Sequence, residues 1–218
     1  MKVILTGATG LVGEGVLLTC LEHPDIKEVL IINRKPQGTI HPKLKECIVP
    51  DFLKIDEFTS PLTGYDACFY CAGMTSFRMD EKEYNHVTYD ITLHVANILA
   101  IQNPNMIFIY ISGSFTDSNE KSKLMWTRVK GKTENALLKI PFRKVYNYRP
   151  GFMKPVPGQK NIPLFYKMIG VFYPVFQMLF PDQTCTIREV GLAMINSVLK
   201  GYPKHILHIK DIQLLAKG

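Results

Sequence analysis

Several things that would direct a reading elsewhere are scarce in this chain. Cysteine is one: five residues, an odd number without regular spacing, exclude a disulfide framework. Cys68 and Cys71 in "CFYC" lie in an apolar, strand-like run, where a separation of three sends the side chains to opposite faces. A redox CxxC needs a helix start, so no redox or zinc pair is expected there. His205 and His208 in "KHILHIK" meet the same objection on a predicted strand, and no metal site is expected. The chain also opens on "MKVILTG", without a basic stretch, apolar segment and small-residue cleavage site, so export is not indicated and a cytoplasmic location is expected.

Blocks of like charge are missing too. The formal charge is +7, but the lysines and arginines are dispersed, which favours a basic protein whose ligand carries phosphates over a nucleic-acid binder. No uninterrupted run of roughly 18 apolar residues is present. The nearest approach, "IPLFYKMIGVFYPVFQMLFP" at residues 162–181, is broken by Pro163, Lys167, Pro174 and Gln177. No transmembrane segment is expected. The stretch suits helices that close the substrate side or form a homodimer interface, with surface-level membrane contact as the weaker alternative.

What is present is alternation. Short β-branched runs, "KVILTG", "EVLIINR", "ECIVPD", "YDACFYCAG", "MIFIYISG" and "KVYNYRPG", are separated by several helix-length amphipathic stretches. Helices are expected at residues 80–102 and about 123–139 and near "TIREVGLAMINSVLKG", with a last strand at "HILHIK". Buried strands alternating with helices predict an α/β fold, a Rossmann-type doubly wound parallel sheet with helices on both faces. With 218 residues, 46% of them apolar, one domain over residues 1–218 suffices. Residues 151–185 break the alternation and are expected to form a substrate-side or interface insertion beyond the strands' carboxyl ends.

The strongest motif is "LTGATGLVGEG", with Gly7, Gly10 and Gly13 in GxxGxxG between the first strand and first helix. Glycines permit a tight turn and close approach of a pyrophosphate, and the helix N-terminus offers unpaired N–H groups and the positive end of its dipole. Thr9, Leu11 and Val12 belong to the same expected dinucleotide cradle. The second strand ends in "INRKP", without the carboxylate an NAD site commonly uses for the ribose hydroxyls. Arg34 and Lys35 can instead neutralise a 2′-phosphate, so NADP(H) is favoured over NAD(H). Asp51 and Phe52 follow the third strand and are placed to reach the adenine. Cys71, Ala72 and Gly73, in "CAG" after the fourth, are small enough for the cofactor's central riboses to pass above.

Together "TGATGLVG", "NRK", "DF", "CAG", a serine-bearing fifth strand and the later Lys130 resemble the short-chain dehydrogenase/reductase superfamily. More narrowly, they are similar to its atypical NAD(P)-binding group of epimerase-like and Tat-interacting oxidoreductase-like proteins. The resemblance implies an active site of YxxxK plus a serine, where the lysine holds the nicotinamide ribose and lowers the tyrosine's pKa. Carried over, Lys130 matches the lysine and Ser112 or Ser114 the serine. Trp126, in "LMWTRVKGK", takes the tyrosine's position. Indole donates a hydrogen bond but is no acid or base near neutral pH, so the leading reading of Trp126 is a ring that closes the pocket. Pro150 and Gly151 in "RPGF" match the chain that passes the nicotinamide, while Arg149 either meets an anionic ligand or is solvated or paired. Three functions stay open: an NADP-dependent oxidoreductase or epimerase-like enzyme acting on a small carbonyl or sugar-like molecule, an NADP(H)-binding module without turnover that acts through a protein partner, and a surface-associated protein.

Overall fold

The apolar runs become strands because their residues are enclosed on both faces, as only a sheet covered by helices on each side allows. A computed structural model describes residues 1–164, 166 and 173–218. Its main sheet contains β1 (Lys2–Thr6), β2 (Glu28–Asn33), β3 (Leu44–Ile48), β4 (Ala67–Tyr70), β5 (Ile107–Ile111) and β6 (Lys144–Tyr148). Phe152–Lys154 and Thr184–Thr186 are β7 and β8, and Ile206–Leu207 is β9. The main sheet has the order β3-β2-β1-β4-β5-β6-β9, parallel at every pairing. The doubly wound parallel sheet expected from the sequence is therefore the observed fold. Strand order reverses between β1 and β4, and the crevice above that reversal is where such sheets bind ligands.

Alternate residues divide the core. Val3, Leu5, Val29, Ile31 and Phe69 face one helical layer, and Ile4, Leu30, Ile32, Cys68 and Tyr70 the other. The first layer is built from α1 (Leu11–Glu22), which packs on α6 (Ile187–Leu199), itself packed on α7 (Ile209–Ala216). On the other side lie α2 (Glu81–Asn85), α3 (Ile91–Gln102) and α4 (Met125–Leu137). A π-helical turn, His86–Asp90, joins α2 to α3. Local signals set several boundaries. Asp80 caps α2 in a capping box with Glu83, and Thr186 caps α6 in another with Glu189. Cys68 and Cys71 point into opposite layers, as the strand spacing requires, and all five cysteines are free.

Two expectations need correction. The last strand is only two residues long, and the chain then turns into α7 with His208 at its N-cap. His208 is therefore not a strand residue. Asp211 accounts for the turn: its carboxylate accepts from His208 N at 3.1 Å and from Lys204 Nζ at 2.7 Å. The region 151–185 also contributes a small parallel sheet of its own, β7 with β8, with α5 (Tyr173–Leu179) between the two strands in the chain and α6 after them. The remainder of the apolar stretch, residues 165 and 167–172, lies outside the described residues. Among those described, no helix is long and apolar enough to cross a membrane.

One buried ion pair ties α4 to the sheet. Arg149, just beyond β6, donates through Nε to Glu134 Oε1 at 3.0 Å, through Nη2 to Glu134 Oε2, and to Ser118 Oγ at 2.6 Å. Both side chains are almost wholly enclosed. Of the alternatives open for Arg149, pairing is what the structure shows. Replacing Glu134 with Ala leaves a buried guanidinium without its counter-charge and is expected to cost about 3–5 kcal/mol in urea unfolding. The double replacement Glu134→Leu with Arg149→Met is expected to recover most of that loss.

Candidate active site

Two cavities open at the carboxyl ends of the strands. The first, about 320 Å³, sits over the β1/β4 reversal. Its floor exists because glycines let backbones meet. Gly7 has φ +73, and a Cβ there would lie 2.6 Å from Ala72 N; a Cβ on Gly13 would lie 2.1 Å from Gly7 O. Gly10 N donates to Gly7 O at 2.9 Å, closing the turn, and Gly10 caps α1 with no side-chain hydrogen bond. The first-turn N–H groups of α1 are thus presented toward the cavity end of the helix.

Of the cofactor residues expected from the sequence, Gly7, Thr9, Gly10, Arg34, Asp51, Phe52, Cys71, Ala72 and Gly73 line this one cavity. Leu11 and Val12 pack instead against the core, and Gly13 acts from behind through its fit to Gly7. Lys35 is exposed and outside the lining, so Arg34 is the cation at this rim. Asp51 accepts from Leu53 N at 3.0 Å and caps the short 3-10 turn Phe52–Phe58. The sequence reading missed Asn33, Gln37 and Glu46. Glu46 Oε1 accepts from Asn33 Nδ2 and from Gln37 N, both at 3.0 Å, while Gln37 Nε2 donates to Ala8 O at 3.1 Å. That network joins β3, the Arg34 loop and the glycine turn. Val87 and Ile91, from the π turn and the start of α3, complete one wall.

A clasp holds α1 from the far side. Glu14 accepts from Lys160 N and Asn161 N, each at 2.8 Å, and Gln159 Nε2 donates to Leu11 O at 2.7 Å. The one sequence signal for it was a carboxylate inside the glycine motif, "GEG".

The second cavity, about 730 Å³, contains Ser114, Trp126, Pro150 and Gly151. Gly151 has no room for a side chain: its Cβ would lie 2.4 Å from Gln183 O, 2.7 Å from Ile209 Cδ1 and 3.1 Å from Ser114 Oγ. The serine ambiguity is resolved by orientation. Ser112 is buried with its Oγ 2.8 Å from Thr116 Oγ1 and lines neither cavity, whereas Ser114 faces the second. Ser112 is therefore corrected to a structural serine. Trp126 stands on the wall, and a Cβ on Gly113 would lie 3.8 Å from its ring. Phe152, Phe176 and Phe180 come from the stretch 151–185 expected on the substrate side, whereas His208, expected on a strand, was not anticipated on the lining.

Lys130 lies one helical turn beyond Trp126 on α4, and the helix is pressed against the preceding loop so tightly that a Cβ on Gly131 would lie 1.8 Å from Asp117 O. Lys130 Nζ donates to Ser112 O at 3.2 Å and lies 5.7 Å from the centre of the Tyr110 ring. It lines neither cavity. Burial holds its ammonium down at about 8, partly offset by Glu134. Tyr110 cannot replace the absent tyrosine as a proton relay near neutral pH, since burial pushes its phenol well above the ordinary value. Among the described residues no group of three or more metal-ligating side chains occurs.

A parallel sheet with a glycine turn at its reversal, Ser114 and Trp126 on a second cavity and Lys130 held on Ser112 O is the architecture of a nicotinamide-dinucleotide-binding protein of the short-chain dehydrogenase type. Residues 3–124 match the NAD dependent epimerase/dehydratase family, and the chain belongs to it. Among curated relatives, fmp52, mitochondrial, of Emericella nidulans is 28% identical over 73% of this chain and 69% of its own length. HTATIP2 of Rattus norvegicus is 26% identical over 70% of this chain and 62% of its own. The matches thus span about two thirds of these relatives' lengths. UDP-glucuronic acid 4-epimerase from Bacillus cereus, solved with NAD, superposes with a TM-score of 0.64 at 17% identity, covering 96% of this chain and 77% of that one.

Lys130 gives a pH signature. Its folded pKa of about 8 lies below the unfolded value, so the fold disfavours the charged form. The penalty is complete below pH 8, fades as pH rises toward 10.5 and vanishes above it. Urea unfolding of wild type and Lys130→Met across this range should show wild type gaining about 1–2 kcal/mol on the variant between pH 8 and 10.5.

Proposed function

We propose that the protein is an NADP(H)-dependent oxidoreductase or epimerase-like enzyme in which Trp126 stands in the tyrosine's place. The observation that carries the cofactor preference is the end of β2, where Arg34 is the cation at the cavity rim and the nearby Glu46 is engaged by Asn33 and Gln37. A planar guanidinium there suits a 2′-phosphate better than a ribose hydroxyl. Gly7, Gly10 and the start of α1 would hold the pyrophosphate, Asp51 and Phe52 the adenine, and Pro150 and Gly151 the carboxamide. The residues present fit this cofactor: Gly7, Gly10, Ala72 and Gly73 line the cavity without large side chains.

Hydride chemistry is what the cofactor supplies when bound. The chain supplies position: Lys130 steadies the strand end through Ser112 O and would have to turn from it to reach a ribose, Ser114 offers a hydroxyl to the substrate oxygen, and Trp126 forms part of the wall there. Proton transfer then rests on Ser114, a bound water or the substrate itself. The alternative, a binding module without turnover, is favoured by one observation, the indole at position 126. The proposal keeps the expected cytoplasmic location, although the fungal relatives are named mitochondrial.

Arg34→Ala is expected to weaken NADPH binding about 10–100-fold, the equivalent of one charge-assisted contact, and to leave NADH within about threefold, read by calorimetric titration. Trp126→Tyr is expected to raise kcat for NADPH-dependent carbonyl reduction. Binding of NADPH with no turnover in either protein, over a panel of aldehydes, ketones and quinones, would select the binding module instead.

A further inference from the structure

The second cavity says more about its occupant than that it carries a carbonyl. Six aromatic rings surround it: Phe115, Trp126, Phe152, Tyr166, Phe176 and Phe180. Phe152 and Tyr166 are stacked with centroids 5.5 Å apart and planes within 5°, and Phe176 lies 6.1 Å from Phe152 at 40°. Phe152 and Tyr166 cover each other's faces and, with Phe176, form one wall on which a flat apolar group can lie. Three of the rings are open to solvent, Phe115 at 74%, Phe180 at 48% and Phe176 at 43%, so an apolar ligand would cover surface that water now touches.

Charge points the same way. The cavity's charged or titratable side chains are Arg149, Asp182, His208 and Tyr166 among the described residues. Arg149 is committed to Glu134 and Ser118, and Asp182 is paired with Lys210 at 2.8 Å. The start of α7 already carries its own anion, since Asp211 accepts from His208 N. A diphosphate in this cavity would find no uncommitted arginine or lysine among the described lining residues and would face the Asp182 carboxylate, a poor match for an anion that needs charge-assisted donors.

We infer that the substrate is an uncharged, flat, ring-bearing carbonyl compound, a quinone or aryl ketone, held between the aromatic walls of the second cavity, and not a nucleotide sugar. The inference rests on the proposed NADP(H)-dependent reading. In the reduction direction the carbonyl carbon accepts a hydride from the reduced nicotinamide dinucleotide, the C=O π pair moves to oxygen, and water entering the open cavity supplies the proton. Water is left as hydroxide and the dinucleotide as its oxidised form. An aryl ketone gives the alcohol directly, whereas a quinone gives a hydroxydienone that loses its new ring C–H proton to water as its second oxygen is protonated, yielding the hydroquinone.

Trp126 is the chain's single tryptophan, so its fluorescence reports this cavity directly. Full-length protein loaded with NADP would be titrated with menadione and, separately, with UDP-glucuronic acid. Saturable quenching by menadione, weakened about tenfold or more in Phe152→Ala and in the solvent-open Phe180→Ser, with no response to the nucleotide sugar, is the expected result. NADPH affinity, measured by calorimetry on the same variants, should be unchanged, which separates loss of the slot from loss of the fold. Saturable binding of UDP-glucuronic acid, or menadione quenching that neither variant alters, would overturn the inference. Failure of NADPH to bind while menadione still responds to both variants would sink the cofactor reading and leave the ligand class standing.

Discussion

The approach of three backbones at the reversal of the sheet is the constraint on which the rest depends. Gly13 meets Gly7, and Gly7 meets the Cys71–Ala72 peptide, at separations that any Cβ would close. That contact seats α1 directly over the gap between β1 and β4, with its unpaired N–H groups at the crevice. Everything that touches α1 from outside follows from its seat: the Glu14 clasp with Lys160 and Asn161, and the packing of Gly15 against Ile187. The insertion after β6 is thereby anchored to the cofactor helix, and its position over the second cavity is set by the same turn that shapes the first.

A second fixed point organises the reacting side. The enclosed Arg149–Glu134 pair joins the end of β6 to α4, and Gly131 presses that helix on Asp117. Trp126 and Lys130 ride on α4, so their placement is inherited from contacts made one turn beyond them. Burying two charges is not the most stabilising solution for a core. Here it fixes the direction of a helix that carries Trp126 to the wall of the second cavity and Lys130 to Ser112 O, while Arg149 is removed from the list of cations a substrate could use.

Family membership and site chemistry do not say the same thing. The family model and the fold place the chain with NAD-dependent epimerases and dehydratases. On the reading proposed above the second cavity departs in two respects, Trp126 taken to stand where the family's tyrosine does and aromatic walls without uncommitted lysine or arginine among the described lining residues. A fold can host different chemistry when loops and insertions change, and the departures here lie on α4 and in residues 152–184, outside the glycine turn.

What the sequence determined by itself was local: the two periods that separate strands from helices, the glycine turn between β1 and α1, the i to i+4 relation of Trp126 and Lys130, and the missing carboxylate after β2. These need only neighbours along the chain, and they were legible for that reason. Tertiary structure decided what depends on distant segments meeting. It turned Ser112 toward Thr116 and left Ser114 in the cavity, bound Arg149 to Glu134, set Glu46 beside Asn33, and brought Phe115, Phe152 and Phe180 to one space. It also converted the end of the expected last strand into α7, because the Asp211 carboxylate captures the N–H of His208. Side-chain pairing and burial across a sheet carry no period in sequence, and only the packed chain could settle them.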